Sequence, residues 1–269
     1  MTRISALAAL CILLLVLSAS VAGQVTQKDQ IEKPKIFRDT YAVVTETDLN
    51  CSFFILPESP ELRIVAAQGG EERILLSDGD SFWTRLPRGG AAQAGQLWAI
   101  VEVVATTPVS RRESGLASVA YRRGRARVLS VEKDRFLSCI EKACGPVTTG
   151  CFLIPWQERP PVMGKDLGIG GSFQTGKALT GRFIFFDNEL QQIGSGNWAL
   201  VDIGRENGLR LGQQLTVFSQ PEKDKPARAV ANVVVIDVGR TTATVKVLSC
   251  RDALRIGDLI QVREPGPIY

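Results

Sequence analysis

The chain has no histidine among its 269 residues. Imidazole is the commonest general acid and base near neutral pH and the commonest metal ligand, so serine or cysteine triads, zinc hydrolase sites and most redox-metal sites are excluded on supply. Methionine (two residues) and tyrosine (three) are scarce, and no aromatic run accompanies the basic residues. That removes the stacking platform of single-stranded nucleic-acid binders. After residue 22 no apolar run approaches the roughly 20 residues a membrane-spanning helix needs, so no transmembrane segment is expected in the mature chain. No cofactor or metal site is expected either.

What is present begins with a targeting pattern. Arg3 precedes an apolar stretch from Ile4 to Leu17, and Ser20-Val21-Ala22 supplies small residues for cleavage. Residues 1–22 are therefore expected to be a signal peptide, with the mature chain exported to the periplasm or beyond. Removing Arg3 takes the formal charge from +4 to +3, too small an excess to name a partner.

Residues 23–60 read as a polar leader ending in one or two strands, YAVVT and CSFFIL. Beyond them, short runs rich in Val and Ile alternate with glycine-polar turns, the pattern of strands rather than helices. Two stretches follow one plan: residues 61–156 and residues 181–264, separated by a Pro- and Gly-rich linker at 157–180. Gly79, Asp80, Arg88 and Gly95 match Gly196, Asn197, Arg205 and Gly212 at an offset of 117. Ala126 is matched with Ala231 at 105, on the premise that a long arginine-bearing loop at 105–123 is trimmed in the second copy. Gly150 matches Gly257 at 107. The expectation is an all-β protein of two tandem small barrels or sandwiches of similar topology. Each copy is near the size at which one core suffices.

The second copy carries VDIGRENGLRLGQQLTVF, then ANVVVIDVGRTTATVKVLSCRDALRIGDLI, with Thr242-Ala243-Thr244 before the final Gly257-Asp258 turn. In these motifs it resembles the C-terminal domain of flagellar assembly protein T. It is also similar to β-modules of secreted, often LysM-bearing envelope proteins of Acidobacteria. The resemblance covers residues 48–263 and implies a strand-built envelope module. The first copy departs from it at Cys151, where the aspartate stands in the second, and no LysM repeat is present.

Five cysteines follow the expected cleavage point: Cys51, Cys139, Cys144, Cys151 and Cys250. In an oxidising compartment an odd number leaves one thiol over. Cys51 can clamp the first copy through Cys144, Cys139 can bridge a hairpin to Cys151, and Cys250 is left as a buried thiol.

Several motifs have bland readings. Gly171 to Lys177 spells most of a phosphate-binding loop, but Ala178 replaces the hydroxyl that would bind Mg²⁺, so linker is favoured. Asp78-Gly79-Asp80 is read as a turn in preference to half a calcium loop. Trp83 and Trp98 match Leu200 and Leu215, which favours core packing.

Arg111, Arg112, Arg122, Arg123, Arg125 and Arg127 form the one dense basic cluster. It is a solvated loop or an anion-binding surface for acidic glycan, lipopolysaccharide or a protein. No nucleic-acid partner is expected.

Three functional readings follow. The first is a non-enzymatic exported envelope scaffold or protein-binding module of a surface or secretion assembly, with an envelope protein as partner. The second is a glycan-processing enzyme using carboxylates such as Asp202, Asp237 or Asp258, which must meet within about 5–10 Å in a cleft. The third is a binder of anionic envelope polymers through the arginine cluster.

Overall fold

A computed structural model describes residues 41–56, 58–70, 72–108, 116–176, 179–187, 190–219 and 226–262. The expected signal peptide and most of the leader lie outside the described residues, as do Arg111 and Arg112.

Strand β1 (Tyr41–Val44), helix α1 (Glu46–Cys51) and strand β2 (Phe53–Leu56) lead into two closed six-stranded barrels. Barrel one comprises β3 (Leu62–Ala67), β5 (Ser81–Arg85), β6 (Leu97–Pro108), β7 (Leu116–Val131), β8 (Arg135–Ala143) and β10 (Phe152–Pro155). Around the barrel the order is β3-β5-β8-β7-β6-β10, with β2 added outside on β7. A small pair, β4 (Leu75–Leu76) with β9 (Val147–Thr148), flanks it. Barrel two comprises β12 (Thr180–Phe186), β14 (Trp198–Val201), β15 (Gln214–Ser219), β16 (Arg228–Val238), β17 (Ala243–Cys250) and β19 (Leu259–Val262). Its order is β12-β14-β17-β16-β15-β19, strand for strand that of barrel one. Its flanking pair, β13 (Gln192–Ile193) with β18 (Leu254–Arg255), repeats β4 and β9. The expected duplication is therefore present in the topology.

The turns repeat as well. Gly150 and Gly257 both have positive φ, 102° and 92°. Each donates its N–H to the equivalent inward residue, Ile64 or Phe183, at 2.9 Å. Only glycine adopts that backbone without strain, so both copies keep it.

One sequence match is corrected. Trp98 pairs with Ala126 as Leu215 pairs with Val233, so Ala126 corresponds to Val233. Gly124 is the residue in the place of Ala231. The offset is 107 from β7 onward. The shared alanine suggested 105 because two-residue steps preserve the inward face of a strand and give no penalty in pattern. The long loop expected at 105–123 is also corrected. β6 and β7 run on as a paired arm as far as Pro108 and Leu116.

Each barrel holds its own apolar core. Barrel two fills it with aliphatic residues around Val217, Val233 and Val245 and with Phe183. Barrel one uses larger rings, Phe82, Trp98 and Phe136, beside the small polar Thr84 and Ser138. The hydroxyls of Thr84 and Ser138 are buried without a hydrogen-bond partner. Their counterparts in barrel two are Val201 and Val245, both fully buried. A buried hydroxyl without a partner costs about 1–3 kcal/mol. Thr84→Val, nearly isosteric, is thus expected to raise stability by about 1 kcal/mol in denaturant titrations followed by tryptophan fluorescence. An unchanged or lowered midpoint would contradict this.

Helix α1 was not foreseen in the strand reading of residues 41–56. A capping box begins it: Thr45 Oγ1 accepts from Asp48 N, and Asp48 accepts from Thr45 N. The helix and β1 cover the outside of barrel two, where Val234 and Ile236 of β16 meet Val43, Val44 and Leu49. That explains the apolar run Val233–Ile236 of β16, which is buried on both faces. Phe53 packs edge-on against Phe185 and Trp198 of barrel two and against Tyr121 of barrel one.

Of the stretch 157–180, expected to be a linker, residues 162–174 lie along β1 and barrel two, and Thr180 already opens β12. Strand β11 (Val162–Gly164) pairs with β1. Thr216 Oγ1 donates to Gly170 O at 3.1 Å, and Gln261 exchanges bonds with the backbone of Gln174. Within this stretch Gly171 and Gly176 take positive φ and no helix opens among the described residues; Lys177 and Ala178, the end of the motif, lie outside them. Among the described residues no helix is long and apolar enough to cross a membrane.

Candidate functional site

Between the two barrels lies a cleft of about 930 Å³. Its walls are β2 and the segment after it, the strand end at Ile154–Gln157, and the β16–β17 turn at Val238–Thr242. Cations outnumber acids in its lining: Arg122, Arg159, Arg205 and Arg240 against Glu58 and Asp237.

Arg122 reaches this cleft because of a β-bulge. Ile100 pairs with Gly124 while the adjacent Val101 pairs with Arg122, which leaves Arg123 as the extra residue. A Cβ at Gly124 would lie 2.3 Å from Lys142 O, so the close strand approach there requires glycine. The bulge takes Arg122 off the inward face that Gly124 and Ala126 continue and sets it opposite Val101, whose cluster with Phe54 and Ala120 lies outside the barrel-one core. Its guanidinium sits 3.9 Å from the centre of the Phe54 ring and is only 4% exposed.

Two guanidiniums share one carboxylate oxygen. Arg122 Nη2 and Arg159 Nη1 each donate to Asp237 Oδ2 at 2.5 Å. Burial would raise the Asp237 pKa, but the two arginines outweigh it and hold the carboxyl below its ordinary value. Burial, partly offset by Asp237 and reinforced by Arg159, lowers Arg122 to about 10, which still leaves it charged at neutral pH. Arg122 Nη1 is buried without a hydrogen-bond partner. The floor of the cleft therefore carries one more positive charge than negative and an unused donor.

Both pairing residues belong to single copies. At the common offset, Arg122 corresponds to Ala229 and Asp237 to Ser130. The cleft is thus built from divergence between the barrels, outside their shared core.

The remaining members of the basic cluster are spread over the surface of barrel one. Arg123 pairs with Glu102 at 2.6 Å and lies over Tyr121. Arg125 and Arg127 converge on Glu141, and Arg125 lies over Trp156. The cluster is not one continuous anion-binding face among the described residues, since its acids and rings come from neighbouring strands that the linear sequence does not show.

The candidate carboxylates separate in the same way. Asp202 accepts from Arg182 N at 2.6 Å, and Asp258 accepts from Arg255 N at 2.8 Å, closing the turn before β19. Burial raises the Asp258 pKa. Of the three, only Asp237 lines the cleft. Asp78 and Asp80 close a turn, with Asp80 accepting from Ser77 N and pairing with Arg73.

Cys51 and Cys144 form a disulfide, with Cα atoms 5.3 Å apart. Cys139 and Cys151 do not: both are free thiols. The hairpin premise fails because β8 pairs with β5 and β7, whereas β10 pairs with β3 and β6. Cys151 is buried in the core beside Thr148 Oγ1, and Cys139 approaches Gly79 O. Cys250 is free and half-buried against the core of barrel two.

A second polar group was not anticipated. Asp48 of α1 accepts from Lys246 Nζ at 2.7 Å and from Trp198 Nε1 at 3.1 Å, both on barrel two. Burial would raise its pKa, but these bonds and those from Thr45 hold it below the ordinary value. The signal was legible as Thr45-x-x-Asp48, a capping-box spacing. Arg159 sits in a Pro-rich stretch and had no signal at all.

No protein-family model and no curated protein matches the chain.

Proposed function

We propose that the chain is a non-enzymatic, exported envelope scaffold or binding module that receives an envelope protein in the cleft between its barrels. The observation that carries this reading is the cleft's charge. Its floor holds two arginines on one carboxylate, an arrangement suited to binding an anion and unsuited to proton transfer by paired acids. Asp202 and Asp258, the other carboxylates named for a glycan-processing enzyme, are committed to backbone bonds away from the cleft. The Cys51–Cys144 bridge is compatible with export. The resemblance to envelope β-modules points the same way. Binding of an anionic envelope polymer is the second reading, favoured by the arginine excess of the same cleft.

A photo-crosslinking residue at Ser59 or Gln157, on the cleft wall, is expected to trap one discrete protein adduct in the envelope of the native host. The same residue at Ile74, exposed on barrel one, is expected to trap none. Equal trapping at both places would overturn the reading. So would release of sugar from envelope glycan that stops in Asp237→Asn.

A further inference from the structure

We infer that the cleft takes an extended acidic peptide segment, which adds as a strand to the free edge of β2 and places a carboxylate at Arg122 and Arg159. This deepens the binding-module reading and rests on it. Three observations converge. The first is the backbone of β2. Among the described residues its only strand partner is β7; the other edge meets Thr244 of β17 at Phe53 and carries no ladder partner at Ile55. Arg122 N donates to Ser52 O, which sets the phase of the antiparallel ladder. In that phase Phe54 and Leu56 bond to β7, while Phe53 and Ile55 turn their N–H and C=O outward. Phe53 O confirms the phase, since it accepts from Thr244 Oγ1 of barrel two at 2.9 Å. One pleat further on, Ile55 lines the cleft and has no such neighbour. A strand edge of this kind is the standard receptor for an extended peptide, which satisfies main-chain groups regardless of side chains.

The second observation is the unused Nη1 donor of Arg122, buried at the cleft floor. The third is the charge excess. A guanidinium pair on a single carboxylate leaves one positive charge in a poorly solvated place, and a ligand carboxylate neutralises it. A sugar ligand is disfavoured by the rings. The Phe54 face is occupied by Arg122 and the Trp156 face is approached by Arg125, so stacking surface is already used.

The probe is a displayed library of random octapeptides panned on the full-length mature chain. Enriched sequences are expected to share an Asp or Glu at one fixed position. A synthetic peptide of the leading sequence is expected to bind roughly tenfold more tightly than its Asn or Gln analogue, the usual scale of one charge-assisted bond. Arg159→Gln leaves the balanced Arg122–Asp237 pair in place and is expected to erase that ratio. N-methylation of alternate amides is expected to abolish binding in one phase and spare it in the other. Hydrogen exchange at Ile55 N–H is expected to slow in the complex. Enrichment equal on wild type and Arg159→Gln would overturn the proposal. So would indifference to N-methylation, or binding of tetragalacturonate in place of any peptide. If the cleft-wall crosslinks form unchanged in Arg159→Gln, the binding-module reading stands and this site falls.

Discussion

Replacing Cys51 and Cys144 together with serine is expected to lower the stability of the oxidised chain by about 3–4 kcal/mol. The bridge closes a segment with a sequence separation of 93 residues, almost the whole of barrel one. Loop-closure entropy for that length favours the upper part of the usual range for a native disulfide. Its position adds to the effect. Cys51 ends α1, the helix whose Asp48 is tied to Lys246 and Trp198 of barrel two, whereas Cys144 follows β8 of barrel one. The bond thus rivets one element to both barrels, and its loss frees α1 to leave the outer face of β16. Guanidinium titrations of wild type and the double serine variant, each under oxidising conditions, measure the loss. Reduced wild type is expected to match the variant. Equal midpoints in all three would show that the bridge adds nothing. Cys139→Ser serves as the control, because that thiol is only half-buried and unbridged.

The repeat was legible because it rests on positions where sequence and backbone are tightly coupled. A glycine such as Gly150 or Gly257 reports a turn whatever surrounds it, and the offset follows directly. The cleft was not legible, for a different reason. Alternation along β7 predicts that Arg123, Arg125 and Arg127 share the outer face and that Arg122 falls on the inner one with Gly124 and Ala126, and nothing in the string Arg122-Arg123-Gly124 announces that a bulge will bring Arg122 out opposite Val101. Its carboxylate partner lies in the other barrel, so the pair has a separation of 115 residues. Arg159 completes the site from a segment whose composition reads as a tether. The run VVVI at 233–236 did hold information: four consecutive apolar residues in a strand present apolar side chains to both faces, and one face of β16 needed a cover from outside its own barrel. That cover is β1 and α1, the segment read as a leader.

The two barrels also show what duplication leaves free to change. Turn brackets and strand register are held in common, because a slip at either disrupts closure, while the side chains at the inward positions differ. Outer faces diverge. In barrel two they have become a docking surface for residues 41–56, with Trp198 and Leu200 among the contacts. In barrel one the site corresponding to Leu200 is Trp83, half-exposed beneath Arg135. The proposed binding cleft therefore lies in the asymmetry, and symmetric substitutions in the two copies are expected to differ in consequence.

Asp237→Asn is expected to destabilise the fold by about 3–5 kcal/mol, the cost of leaving a buried guanidinium without its counter-charge. Arg122 has a side chain only 5% exposed, at the floor of the cleft, whereas Arg159 is partly exposed and can turn outward. Arg159→Gln is accordingly expected to cost under about 1 kcal/mol. Asp237→Asn combined with Arg122→Met is expected to recover most of the loss, since methionine keeps an apolar contact with Phe54 and removes the stranded charge. The pH dependence has a definite sign. Asp237 titrates lower in the folded chain than its ordinary 3.8, so its contribution is complete above that value and disappears as pH falls through the folded value. The wild-type and Asp237→Asn stability curves are expected to be furthest apart near neutrality and to converge below about pH 4. Arg122 acts with the same sign at the alkaline end: its folded value of about 10 lies under the ordinary guanidinium value, so the cost of burying its charge is relieved as pH rises past it. Urea titrations of the three variants across pH 2.5–8 are the measurement. An Asp237→Asn midpoint within about 1 kcal/mol of wild type at pH 7, or curves parallel down to pH 3, would mean that the arginine pair is not held by this carboxylate.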